Sequence, residues 1–176
     1  MKILITGGAG FIASHVADAY IELGHEVVIV DNLSTGNLKN LNSKAKFIEA
    51  DITDKEKIQE IIRTEKPEVI NHHAAHIQVG YSVKNPQFDA ENNIIGLLNI
   101  MEAAKEVPIK KVIMAATGGA MYGNKQTPFN ETMKAEPLSP YGISKRAGEL
   151  YLNYYYDVDL FYDDYSLCLL YYSLCC

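Results

Sequence analysis

The sequence predicts an α/β fold, a doubly wound parallel sheet, on three observations. Short runs rich in β-branched residues alternate with stretches of helical period. The runs are apolar at consecutive positions, the pattern of strands covered on both faces. A glycine-rich turn joins the first run to the first helical stretch.

Each element follows from periodicity and its boundary residues. Residues 2–6 read as a strand, and 11–23 as a helix ending at Gly24. Residues 26–30 and 46–49 read as strands, followed by a helix over 55–63. A strand over 68–71, a long helix over 89–105 and a strand over 111–116 continue the alternation. The last helix spans 139–156, with Ser139 a good N-cap and Pro140 a good first residue. No repeat or low-complexity linker interrupts residues 1–156, which read as one domain. Residues 157–176 form an atypical tail, rich in Leu, Tyr, Asp and Cys and without Gly, Pro, Lys or Arg. It reads either as a final strand or helix or as a non-native end.

Composition excludes several classes. The 176 residues are 48% hydrophobic and 22% charged, which suits a globular domain rather than a disordered or fibrous chain. A net charge of −6 argues against a nucleic-acid-binding surface. The first residues run straight into glycines, without a leader-like apolar stretch. No run approaches the roughly 20 apolar residues that span a bilayer, so no membrane partner is expected. The three cysteines, Cys168, Cys175 and Cys176, all lie in the tail, as expected of a cytoplasmic protein without a disulfide framework.

The glycine turn is Thr6-Gly7-Gly8-Ala9-Gly10-Phe11-Ile12-Ala13, after a strand and opening a helix. That context makes it a dinucleotide fingerprint and the fold Rossmann-type. Gly7 allows the tight turn, and Gly10 lets backbone N–H groups approach a pyrophosphate at the helix N-terminus. The second strand ends at Asp31, whose carboxylate can accept both adenosine ribose hydroxyls and would repel a 2′-phosphate. No Arg or Lys follows in residues 32–37, which favours NAD over NADP. Asp51 and Ile52 follow the third strand, where a carboxylate can meet the adenine amino group or simply cap a helix.

Tyr141 and Lys145 are spaced i, i+4 and share a helix face. An ammonium beside a phenol, together with a cationic nicotinamide, favours the phenolate and so a general base. Thr117 follows the 111–116 strand and places a hydroxyl on the same sheet edge as the glycine turn. His72, His73 and His76 offer an i, i+4 histidine pair that could bind a metal, although the family resemblance that follows implies a loop beside the cofactor for them, and no metal site is expected. The tail cysteines match no framework, and Asp157, Asp159, Asp163 and Asp164 lack the glycine of a calcium loop, so solvated acids are expected there.

Jointly these stretches resemble the extended short-chain dehydrogenase/reductase family, and within it the NAD-dependent sugar-nucleotide epimerases. The matching segments are TGGAGFIAS (6–14), DNLSTG (31–36), Asp51-Ile52, NHHAAH (71–76), Asn93-Ile94-Ile95-Gly96, ATGGAMYG (116–123) and SPYGISK (139–145). The resemblance implies that Gly7, Gly10, Phe11 and Ile12 hold the pyrophosphate. It places Asp31, Asn32, Ser34, Thr35 and Gly36 around the ribose, with Asp51 and Ile52 at adenine. Ala74 and Ala75 line the cofactor, and Asn93 supports the site. Thr117 and Tyr141 form the catalytic pair, and Lys145 serves both catalysis and the nicotinamide ribose.

The implied activity is 4-epimerisation of a nucleotide sugar, UDP-glucose to UDP-galactose and back, by transient hydride transfer to bound NAD. The implied partners are a UDP-sugar and, as in family dimers, a second copy. Dehydration is disfavoured because Gly118-Gly119 stands where an acidic pair would follow the threonine. A UDP-glucuronate decarboxylase-like enzyme and an NAD-binding module without turnover remain as alternatives. Family members continue with further strands and a smaller sugar-nucleotide subdomain. The chain as written is therefore expected to be a fragment truncated before that subdomain, binding NAD weakly and without turnover.

Overall fold

The structure, a computed structural model, describes residues 1–130, 132–157 and 168–170. Six parallel strands form one sheet: β1 Lys2–Thr6, β2 Glu26–Asp31, β3 Lys46–Glu49, β4 Val69–His72, β5 Lys111–Ala115 and β6 Cys168–Leu170. Their order is β3-β2-β1-β4-β5-β6. The chain runs outward from β1 on one side and, from β4, outward on the other. The carboxyl ends of β1 and β4 therefore flank the switch point at which open α/β sheets take their ligands. There Thr6 pairs with Val30 on one side and His72 on the other.

The helices are α1 Phe11–Glu22, α2 Lys55–Glu65, α3 Val79–Lys84, α4 Pro86–Ala90, α5 Gly96–Ala104, α6 Gly118–Met121 and α7 Pro140–Asp157. Alternate strand residues face opposite sides, so one apolar run feeds two cores. Leu4, Val30, Ile70 and Met114 pack with Ile58 and Ile62 of α2, Leu97 and Ile100 of α5, and Leu152 of α7. Ile3, Ile5, Val27, Ile29 and Val69 pack on the other face against Ala13 and Ala17 of α1. Small residues on α1 let that helix lie close to the sheet. Among the described residues, no helix is long and apolar enough to cross a membrane.

Two features differ from the sequence reading. The helix expected over 89–105 is interrupted by a π-helical segment, Glu91–Ile95, between α4 and α5. Asn93 lies inside that widened turn and its amide is spent on neighbouring loop and helix groups, so local hydrogen bonding there serves the tertiary structure rather than the helix. Short elements arise where loops were expected: α3, α6 and a 3-10 turn at Leu38–Asn40. The tail, for which a final strand was one of the readings, contributes a strand: β6 pairs in parallel with β5, Cys168 opposite Ile113 and Leu170 opposite Ala115. Asp159, Asp163, Asp164, Cys175 and Cys176 lie outside the described residues.

Candidate active site

The first wall of the site is the glycine turn. Gly7 has φ +71°, and a Cβ there would stand 2.6 Å from the Ala74 nitrogen, so only glycine lets the β1 and β4 loops meet. The turn closes by Gly10 N–H to the Gly7 carbonyl, 3.0 Å, and Gly7 N–H to the Val30 carbonyl, 2.8 Å. Gly10 caps α1 without a side chain, and no acidic residue occupies the first turn of that helix. The α1 N-terminus therefore presents backbone N–H groups without a carboxylate that would repel a phosphate. Phe11 and Ile12 are both exposed beside it.

Asp31 closes this wall in a way that sequence did not show. Its Oδ2 accepts the Ala9 N–H at 3.0 Å and its Oδ1 accepts the Leu33 N–H at 2.8 Å. Gly36 lies so close that a Cβ would sit 2.8 Å from Asp31 Oδ1 and from Ala9 Cβ. Asn37 N–H and Asn40 Nδ2 both donate to the Ala9 carbonyl, at 3.0 and 2.8 Å. These two asparagines clamp the turn from outside. The only local signal for them was the capping habit of Asn37, whose side chain accepts the Lys39 N–H.

Asn32, Ser34 and Thr35 are exposed on the loop after β2. Asn32 Nδ2 donates to Asp51 Oδ2 at 2.6 Å, while Thr53 donates both its N–H and its hydroxyl to Oδ1. Burial pushes the Asp51 carboxyl up, but the Thr53 and Asn32 hydrogen bonds outweigh it and hold the group below its ordinary range. The Ile52 side chain is buried in the core with Ile58, Ile61 and Leu97, and Asn99 Nδ2 donates to the carbonyls of Ile52 and Thr53.

The second wall is the loop after β4. Thr6 Oγ1 lies 2.7 Å from His72 Nδ1 and accepts the Ala74 N–H at 3.2 Å. Burial, reinforced by the Lys145 charge, pulls His72 down to about 3 and His73 to about 4, so both rings are neutral near pH 7. His76 turns away to pack on Tyr81 and Phe88, with ring centroids at 4.8 and 5.1 Å. Among the described residues, no group of three or more His, Cys, Asp or Glu is placed to hold a metal. Asn93 accepts the His76 N–H at 2.9 Å and donates to the His76 carbonyl at 3.0 Å. It thereby fixes the loop that carries Ala74 and Ala75.

The third wall brings Thr117, Tyr141 and Lys145 together beyond β5. Ser139 Oγ accepts the Gly142 N–H at 3.2 Å, the expected N-cap of α7. The Tyr141 N–H donates to Ser82 Oγ of α3, also at 3.2 Å. Thr117 caps α6, accepting the Ala120 N–H at 3.4 Å, and also hydrogen-bonds the Tyr141 phenol. Lys145 Nζ donates to the Ala115 carbonyl at 3.0 Å and stands 6.0 Å from the centre of the Tyr141 ring.

Burial governs the electrostatics of this pair. Burial pushes the Tyr141 phenol above its ordinary value; the Thr117 hydrogen bond opposes this, and the Asp89 charge adds to it. Lys145 itself is pulled down to about 8 by burial, against the favourable charge of Asp89. The same burial that assembles the pair desolvates both partners and works against charge on each. Asp89 and Ser82 escaped the sequence reading, since neither carries a motif, and Ser144 lies within the SPYGISK segment but was given no role there.

The comparisons with known proteins follow this geometry. The chain is 43% identical over 168 residues to a UDP-glucose 4-epimerase of Mycolicibacterium smegmatis, covering 90% of this chain and 53% of that one. It superposes on the UDP-glucose 4-epimerase of Thermotoga maritima crystallised with UDP-glucose, with TM-score 0.87 and 43% identity over 97% of this chain and 54% of that one. It likewise superposes on the Thermus thermophilus UDP-glucose 4-epimerase in complex with NAD, with TM-score 0.89, 38% identity and the same coverage. The chain thus spans about half the length of the relatives it matches. A family model matches residues 3–162, and by that match the chain belongs to the NAD-dependent epimerase/dehydratase family.

Proposed function

We propose that this chain is the cofactor-binding and catalytic half of a sugar-nucleotide 4-epimerase that interconverts UDP-glucose and UDP-galactose with bound NAD. The observation that most supports the reading is the convergence of Thr117, Tyr141 and Lys145 beside the switch point, facing a glycine turn that ends in an uncapped helix. Residues 1–156 carry this unit, and 157–176 are a tail of atypical composition from which β6 joins the sheet. The setting we infer is the cytoplasm, with a UDP-sugar and a second copy of the chain as partners.

The residues fit the dinucleotide. The backbone of Gly7, Gly10, Phe11 and Ile12 would take the pyrophosphate. Asp31, Asn32, Ser34, Thr35 and Gly36 would surround the ribose, and the Asp51 loop would meet adenine, with Ile52 supporting it from the core. Ala74 and Ala75 would line the nicotinamide side, with Asn93 behind them, and Tyr141 and Lys145 would reach its ribose. When bound, NAD supplies the acceptor for hydride from the sugar C4 and its return donor.

Tyr141 removes the proton from the 4-hydroxyl and later returns it to the same oxygen. Thr117, already hydrogen-bonded to the phenol, holds the reacting oxygen and passes a proton. Lys145 remains largely protonated at pH 7 and favours the phenolate against the burial that opposes it. Gly118 and Gly119 place no carboxylate after Thr117, which supports epimerisation over dehydration.

Two measurements test the reading. Calorimetry on the chain should show NAD binding tighter than NADP binding. A chimera joining residues 1–156 to the remaining half of the Mycolicibacterium smegmatis relative should convert UDP-galactose in a coupled assay. A soluble, NAD-loaded chimera without turnover would overturn it.

A further inference from the structure

Asp89 is 0% exposed, yet it is a carboxylate in a helix of five residues. Two neutral groups bind it: Asn93 Nδ2 donates to Oδ1 at 3.0 Å, and Ser144 Oγ donates to Oδ2. Neither neutralises it, and a buried charge held by neutral donors alone is costly. The cation that feels it is Lys145, itself 5% exposed. The groups facing Lys145 are His72 and His73 from β4 and its loop, the Tyr141 ring from α7, the Ala115 carbonyl from β5, and Asp89 from α4.

The two donors lead to opposite walls of the site. Asn93 holds both backbone polar groups of His76, in the loop carrying Ala74 and Ala75. Ser144 immediately precedes Lys145 on α7. One carboxylate therefore bridges the loop expected to line the cofactor and the helix expected to carry the chemistry. The carboxylate offers one acceptor oxygen to each donor.

We propose that Asp89 is a positioning residue: it locks the 73–78 loop to α7 through Asn93 and Ser144 and balances the buried Lys145 ammonium. The inference rests on the reading of Lys145 as part of the reacting site, but its test does not require the cofactor.

The test is competitive acetylation of Lys145 across pH, read by mass spectrometry on the chain. Asp89→Asn removes the charge at nearly constant shape. It should lower the midpoint of Lys145 reactivity by about one pH unit while the circular dichroism spectrum is retained. A merely structural role would lower thermal stability and leave that midpoint unchanged, which would overturn the proposal. Should Asp89→Asn not fold, Ser144→Ala decides, because it keeps the charge and cuts the link to α7. It should raise the rate of Lys145 acetylation at fixed pH several-fold, and an unchanged rate would overturn the proposal. A soluble, NAD-loaded chimera without turnover would instead count against the functional reading, leaving the labelling result to stand separately.

Discussion

The Asp31 carboxylate grips the glycine turn itself: one oxygen accepts the Ala9 N–H at 3.0 Å, the other the Leu33 N–H at 2.8 Å. Leu33 has φ 57°, a left-handed conformation unusual for a branched residue, and this bond holds it there. The residue expected to choose the cofactor thus also builds the loop that receives it. Each oxygen keeps a second lone pair for a ribose hydroxyl.

Asp31→Ala should therefore lose both stability and selectivity. Two backbone N–H groups lose their partner, at a cost of about 1–3 kcal/mol each where buried. Urea denaturation reads the first effect, and calorimetry with NAD and NADP the second. Unchanged stability with lost selectivity would confine the carboxylate to the ribose.

Tyr141→Phe, made in the chimera, should lower turnover by about 10²–10⁴-fold and leave NAD affinity nearly intact, because it deletes the proton acceptor and little cofactor contact. Lys145→Ala should impair both. Wild-type turnover in the Phe variant would remove Tyr141 from the chemistry.

Ser82→Ala should destabilise the chain by about 1–3 kcal/mol, because the buried Tyr141 N–H would lose its acceptor. Ser82 Oγ also donates to the Val79 carbonyl at 2.7 Å, so α3 and the first turn of α7 should loosen together. Thermal denaturation measures the loss, and hydrogen exchange at Tyr141 shows where it falls.

Stability should fall on mild acidification. His72 and His73 titrate near 3 and 4 in the folded chain, against an ordinary value of 6.5. Between those values the unfolded chain binds more protons, so the stabilisation is complete above about pH 6.5 and is lost progressively as pH falls toward 4 and 3. Each histidine contributes a slope of up to about 1.4 kcal/mol per pH unit in that window. Lys145, lowered to about 8, acts in the same sense at higher pH: its contribution is complete above its ordinary value of 10.5 and is lost as pH falls through 8. Urea midpoints measured from pH 4.5 to 7 should rise, and a flat profile would contradict the burial of the two histidines as neutral rings.

The sheet was legible in the sequence because its information is local. A strand covered on both faces needs an unbroken apolar run, and residues 3–5, 27–30 and 112–114 supply it. The glycine turn was legible for the same reason, as was the Tyr141–Lys145 spacing, since one helical turn relates the two. The π-helical turn was not, because residues 89–105 carry a helical pattern and the extra residue at Asn93 answers to His76, a partner 17 positions away.

The fine structure of the site was decided by contacts distant in sequence. Ser82 meets Tyr141 across 59 positions, and Asp89 meets Ser144 across 55. No period or motif encodes such a pair, since a buried serine or aspartate looks in sequence like a solvated one. The charge state of the site belongs to the same class. Sequence placed an ammonium one turn from a phenol, but the depth of burial set both against ionisation, and burial is a property of everything packed around them. What the sequence by itself determined was which chemical groups would reach the carboxyl edge of the sheet. The tertiary structure decided how those groups are held and at what cost they carry charge, because desolvation and long-range hydrogen bonds exist only once the layers have packed.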